Sequence, residues 1–186
     1  MPGLPGASTS RGTGGNSIRQ GPRQMSLAYE EFVRRYGDIY EHSAWVAEET
    51  HEVAAIVENV SELAGIFANC VDKASDEKKL ALIRAHPDLA GKAAISGDLT
   101  VESTVEQSSA GIDQCTQGEY QQFQDLNSQY KEKFGFPFVM AVRDSNRHEI
   151  LAAFKSRLSN ELQTEFETAI REIHKIASLR LRELKA

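Results

Sequence analysis

The chain has 186 residues, 40% of them hydrophobic and 26% charged, with 21 basic against 27 acidic side chains and a formal charge of −6. That length and apolar content suit one domain with its own core. The negative balance, with basic residues scattered instead of striped, argues against a nucleic-acid partner, and no apolar run approaches the roughly 20 residues that a membrane-spanning helix needs.

Residues 1–24 hold Gly, Pro, Ser and Thr with three arginines and no acidic side chain. Such a stretch buries too little apolar surface to offset the entropy of ordering it, so a disordered tail is expected. Its Ser and Arg content also suits an organelle transit signal, but the Gly and Pro density works against the amphipathic helix such signals form. Met25 opens the folded pattern, which leaves an upstream extension with translation starting near Met25 as a further reading. The chain ends Leu-Lys-Ala, not in a peroxisomal Ser-Lys-Leu. The folded domain is expected over 25–186, in a cytoplasmic protein.

From Ser26 the apolar period is helical. Phe32, Tyr36, Ile39 and Tyr40 recur at three- and four-residue steps, as do Leu63, Ile66, Phe67 and Cys70, and Leu80, Leu82 and Ile83 continue the pattern. Asp76 can cap the helix that Pro87 ends. Thr100 can open a helix that Gly111 closes. Thr116 with Glu119 forms a capping box for a helix running to about Phe134, and Gly135 supplies its left-handed stop. Ser145 or Asn146 can cap the helix from His148 to Leu158, and Asn160 the long terminal one from Glu161 to about Leu184. The apolar run from Phe136 to Val142 contains Pro137 and reads as extended packing between helices. The predicted class is all-α.

The tract from Ala85 to Asp113 places ionisable and amide side chains where a plain helical domain would place core residues. His86 lies at a helix C-terminus before Pro87; that position favours imidazolium by up to about 1 kcal/mol and suits titration near neutrality. It reads either as an acid–base group or as a cap on the last carbonyls. Ser103, Glu106, Gln107 and Ala110 share one helix face at i, i+3, i+4, i+7, opposite Val101, Val105 and Ile112. If the apolar face points inward, the polar face is merely solvated; yet it lacks the Lys or Arg partners usual on exposed helices, and it suits the amide edges of a small polar ligand. In the terminal helix Phe166, Ile173 and Arg180 repeat every seven residues, with Leu162, Ile170, Ile176 and Ala177 on the same stripe, which carries Arg180 inward. A buried guanidinium needs an anion, either an Asp or Glu or a substrate carboxylate. Asp88, as a turn or cap residue, and Lys92, in solvent, are weaker candidates. Cys70 and Cys115 fall in no metal or redox spacing and read as reduced thiols, and the five histidines never pair at i, i+4, so no metal site is expected.

Taken together, EHSAWVAE, LIRAHPDLAGK, LTVEST with VEQSSAGID, LNSQYKEKFGFPFVMAVR and EIHKIASLRL resemble, in order and interval from about Met25 onward, the 2-oxo-4-hydroxy-4-carboxy-5-ureidoimidazoline (OHCU) decarboxylase family. The resemblance implies a compact helical domain, a homodimer, and decarboxylation of OHCU to (S)-allantoin and carbon dioxide without metal or organic cofactor. It places the essential histidine on His86, the glutamate and glutamine on Glu106 and Gln107, the serine on Ser103 and the arginine on Arg180. Pro87 would pack on the ligand ring, and the backbone from Phe136 to Val139 would close the pocket. His86 and Glu106 would be catalytic; Pro87, Ser103, Gln107, Phe136, Val139 and Arg180 would bind substrate. Ala44 where proline is common, the absence of Arg-Pro-Phe between Thr50 and Val60, and Asp144 in place of glycine are departures outside those positions. Urate oxidase and hydroxyisourate hydrolase would be separate pathway partners. A non-catalytic helical module binding a purine-derived ureide, or another lyase or hydrolase acting on a related ureide, are the alternatives.

Overall fold

The computed structural model describes residues 27–91, 94 and 96–185, the side chain of Lys185 excepted. The tail 1–24 and Lys92 therefore lie outside the described residues. Eight α-helices follow in order among them: α1 Tyr29–Tyr36, α2 Trp45–Ala54, α3 Val60–Lys73, α4 Asp76–Ala85, α5 Val101–Ser109, α6 Gln117–Phe134, α7 Arg147–Arg157 and α8 Leu162–Lys185. A short 3-10 turn, Ile112–Gln114, follows α5, and the described residues contain no strand. None of these helices is long and apolar enough to cross a membrane.

Local chemistry sets most of the ends. The Thr116–Glu119 and Asn146–Glu149 capping boxes are both formed, and Gly135 ends α6 at φ 76°. Thr100 Oγ1 accepts from Ser103 N–H at 3.2 Å to start α5, while Gly111 takes a left-handed φ of 69° just beyond it. Two expected caps are replaced. Ser75, not Asp76, accepts the amide of Lys78 at 3.3 Å, so Asp76 is the first helical residue, where its charge suits the helix dipole. Asn160 donates its side-chain amide to Glu165 Oε2 at 2.8 Å.

Helix α8 packs on α3, α4 and α6, and α1, α2 and α3 pack in sequence beside it. Two aromatic groups fill the interior. Phe32 meets Phe67 edge-on at 6.3 Å, with Tyr36 and Tyr40 also against Phe67. On the other side Tyr130 meets Phe138 and Phe154, which stack at 3.9 Å and 14°. Residues 137–142 form no helix or strand and bring Phe138, Val139 and Val142 into the core between these helices.

Helix α5 packs inside out. Val101 and Val105 are 76% and 52% exposed, whereas Ser103, Glu106 and Gln107 are buried. Its hydrophobic stripe faces water and its polar stripe the interior, the reverse of an ordinary amphipathic helix. Burying three polar side chains is costly unless each is hydrogen-bonded, so their partners must be accounted for.

Candidate active site

The carboxyl end of α4 holds His86 in extended backbone, ψ 139°, as a residue before proline should be. Its Nδ1 lies 2.9 Å from the carbonyl of Leu82, one turn back. That contact makes Nδ1 the protonated nitrogen, so Nε2 is the acceptor, and Nε2 is buried without a protein partner. Burial pushes the imidazole down to about 4, outweighing the bond to Leu82 and the charge of Glu41, which raise it. Titration near neutrality, expected from the helix end alone, is thus overridden by desolvation.

Arg180 reaches α5 from α8. Its Nε donates to Glu106 Oε1 at 2.8 Å and its Nη2 to Glu106 Oε2 at 2.9 Å, a two-bond fork. The same guanidinium lies 2.8 Å through Nη1 from Glu41 Oε2, in a charge contact not aligned as a hydrogen bond, and 3.3 Å from the carbonyl of Asp38. Nη2 also reaches Ser103 Oγ at 3.4 Å. Burial alone would lower the guanidinium, but Glu106 and Glu41 raise it, so it stays charged. The internal ion pair that the sequence left open is the one formed, and Glu106 is its partner.

Gln107 ties down the loop that follows His86. Its Oε1 accepts from Ala90 N–H at 3.1 Å, and its Nε2 reaches the carbonyl of Asp88 at 3.4 Å. Gln124 donates to the carbonyl of Ala90 at 2.6 Å and Asn127 to that of Leu89 at 2.9 Å. These bonds hold Ala90 at φ 51°, a left-handed conformation that costs a non-glycine residue about 1 kcal/mol or more. Asp88 makes a surface ion pair with Lys131 at 2.5 Å.

His86, Pro87, Ser103, Glu106, Gln107 and Val139 line one cavity, with Leu89, Phe138, Met140, Val142 and Ile176 as its apolar walls. Arg180 lies behind Glu106 and Ser103 and is not part of the lining. Phe136 does not join the lining either. It packs at 6.0 Å and 26° on Phe134 and lines a separate groove with Leu80, Arg84 and Phe166. Phe136 is thus buried in the core away from the cavity, and Phe138 supplies the ring there. Leu162 is 56% exposed at the start of α8, off the buried stripe. Among the described residues no group of three or more His, Cys, Asp or Glu is placed to hold a metal ion.

The cavity measures about 30 Å³, one water's share of liquid volume, against roughly 300–1,000 Å³ for ligand pockets. Beside it, and sharing Gln107, an open groove of about 530 Å³ runs past Ala90, Thr104, Ile112 and Tyr120.

One residue of this cluster went unnoticed in the sequence. Glu41, in the turn between α1 and α2, is 2% exposed, and its Oε1 accepts from Thr100 Oγ1 at 2.8 Å and Ser103 Oγ at 3.1 Å. Only its place in the EHSAWVAE motif could have drawn attention to it.

A helical domain that buries a polar helix face and a neutral imidazole around one small cavity, with a shared guanidinium behind them, is fitted for proton transfer on a small polar molecule. The OHCU decarboxylase family profile matches residues 25–182, and the chain belongs to that family. It is 46% identical to the 2-oxo-4-hydroxy-4-carboxy-5-ureidoimidazoline decarboxylase of Haloferax volcanii, over 83% of this chain and 89% of that protein. It is 40% identical to a uric acid degradation bifunctional protein of Bacillus sp. (strain TB-90), over 85% of this chain and 30% of the relative. Among solved structures, a crystal structure of (S)-allantoin synthase superposes with a TM-score of 0.68 at 35% identity, covering 85% of this chain and 50% of that one.

Proposed function

We propose that this protein removes carbon dioxide from OHCU to give (S)-allantoin. In that reaction the bond to the carboxyl carbon breaks, its electron pair forms a double bond between the two ring carbons, and the carbon–nitrogen π pair moves onto the ring nitrogen, which takes up a proton. The resulting enol loses its hydroxyl proton, which leaves the carbonyl of allantoin, and gains a proton on the neighbouring ring carbon from one face. The ring itself takes up the electrons, so the protein must orient the carboxylate and move protons.

The observation that carries this reading is the unpartnered Nε2 of a buried, neutral His86 beside the Glu106–Arg180 fork. His86 is the acceptor for the hydroxyl proton, and Glu106 assists it. Ser103 faces a polar oxygen of substrate, Arg180 acts on it from behind through Ser103 and Glu106, and Pro87, Phe138 and Val139 pack on its ring. Substrate enters from the groove when Gln107 exchanges its bonds to Ala90 and Asp88 for bonds to the ureido group.

We further propose a cytoplasmic homodimer, supplied with substrate by urate oxidase and hydroxyisourate hydrolase. The bare Val101 and Val105 face of α5 supports association, and light scattering tests it.

Mixing the protein with freshly generated urate-oxidation product and following circular dichroism tests the chemistry. Rapid growth of a single-enantiomer allantoin signal is expected; the spontaneous, racemic time course would refute the reading.

A further inference from the structure

Glu41 lines no part of the cavity, yet it is the most deeply buried carboxylate of the site cluster. It sits in the turn after α1, far in sequence from every other member. Each of its oxygens has a task. Oε1 takes the hydroxyls of Thr100 and Ser103, the first fixing the start of α5 and the second fixing a side chain at the cavity. Oε2 faces Arg180 Nη1 at 2.8 Å.

A buried carboxylate is costly to keep charged, and a guanidinium already forked to Glu106 does not need a second anion for neutrality. Burial raises Glu41, but Arg180 and Thr100 outweigh it, and the carboxyl is held below its ordinary range. Its retention as an anion therefore has to be explained by geometry. Without it, Nη1 would keep only the 3.3 Å contact to the carbonyl of Asp38, and the Ser103 hydroxyl would keep only the long 3.4 Å contact from Nη2 and lose its acceptor.

We propose that Glu41 is a positioning residue of the decarboxylase, whose two oxygens lock the Ser103 hydroxyl at the cavity and, through Arg180, the Glu106 carboxylate beside it. The inference rests on the decarboxylase reading, and it goes beyond it by bringing the α1–α2 turn into the site. A second consequence is electrostatic. The charged or titratable groups around His86 are Glu41 and His42 from that turn, Arg180 from α8 and Glu106 on the shared cavity; of these, Glu41 favours the imidazolium, while Arg180 and His42 oppose it.

Glu41→Gln and Glu41→Asp separate reach from charge. The amide keeps the length but sets a donor or a neutral oxygen against Nη1. The aspartate keeps the charge but is one methylene too short to serve Thr100, Ser103 and Arg180 together. Both variants are expected to fold, because Arg180 keeps its fork to Glu106, and both should lose turnover by about 10²-fold, the scale of a small misplacement of reacting groups. In Glu41→Gln alone, the acid limb of kcat/KM and the NMR titration of the His86 ring should move to lower pH, a shift that a purely structural role would not produce. If Glu41→Gln does not fold, Glu41→Asp carries the test through its turnover. Wild-type turnover in the folded variants, or an unmoved His86 titration in Glu41→Gln, overturns the proposal while the function stands. An inactive wild-type protein overturns the function, and this role with it.

Discussion

Arg180 and Glu106 meet as a two-bond fork across 74 residues of sequence, Nε to Oε1 at 2.8 Å and Nη2 to Oε2 at 2.9 Å. The fork joins the last helix to α5 and is why α5 can turn its polar face inward. Truncating Glu106 to Ala leaves a buried guanidinium with Glu41 alone. Breaking a buried pair costs about 3–5 kcal/mol, and the surviving Glu41 contact puts the expected loss at the lower end, read as a shift in the urea midpoint. Replacing both Arg180 and Glu106 by apolar residues should not restore stability, because Glu41 then loses its cation. A double variant as stable as wild type would mean that Glu41 does not feel Arg180.

His86 contributes to both chemistry and fold. General acid–base help is worth about 10²–10⁴-fold, so His86→Ala should lower turnover by that factor. A histidine at a helix end would leave the fold untouched if it were exposed, but this one is buried and bonded to the carbonyl of Leu82. Its loss should therefore also cost about 1 kcal/mol, the net worth of a hydrogen bond. Comparing kcat with the denaturation midpoint of the variant separates the two effects. Unchanged turnover would remove His86 from the mechanism.

The depressed imidazole carries a pH signature. Burial holds His86 neutral in the folded protein down to about 4, while an ordinary histidine titrates near 6.5. Between those values the unfolded chain binds the extra proton, so this contribution to stability is fully present above about pH 6.5 and is lost as pH falls toward 4. At about 1.4 kcal/mol per tenfold change, the loss across the window approaches 3 kcal/mol. Denaturation of the wild type and of His86→Asn between pH 7 and 4 isolates it by difference. Parallel curves for the two proteins would mean that His86 is not desolvated.

The sequence made the fold legible wherever a local signal fixed a backbone group. The Thr116–Glu119 box, Asn146 and Gly135 stand where their chemistry requires, because a cap needs only neighbours within one turn. Asp76 against Ser75 shows the limit, since two adjacent residues can each cap and the choice depends on the turn before them. The cavity residues His86, Glu106 and Gln107 were legible from their types and spacing, but their partners were not. The two readings of α5, polar face solvated or polar face gripping something, could be resolved only by knowing that Arg180 and Glu41 arrive from 74 and 62 residues away. Phe136 and Phe138 are equivalent in pattern and equally buried, Phe136 against Phe134 and Tyr130 and Phe138 stacked on Phe154, and only the second stands at the cavity.

Glu165 is the clearest case of a residue whose role no spacing announced, and it gives a further prediction. It is fully buried on α8, where Oε1 receives the Tyr130 hydroxyl and, at 2.6 Å, Arg157 Nε, while Asn160 bonds Oε2 at 2.8 Å. Burial and then Glu165 itself push the Tyr130 hydroxyl well above its ordinary range, so it remains a donor. Arg157 passes the constraint on: its Nη1 donates to the carbonyl of Val139 at 2.7 Å, and its guanidinium covers the Phe138 ring at 4.3 Å, so two cavity walls are held through one carboxylate. Glu165→Ala strands Arg157 and should cost about 3–5 kcal/mol, whereas Glu165→Gln keeps an acceptor for Tyr130 and should cost less. Because the segment 137–142 is loosened in both, turnover should fall even at temperatures where Glu165→Gln remains folded. Full activity in folded Glu165→Gln would show that Val139 and Phe138 are held by packing alone.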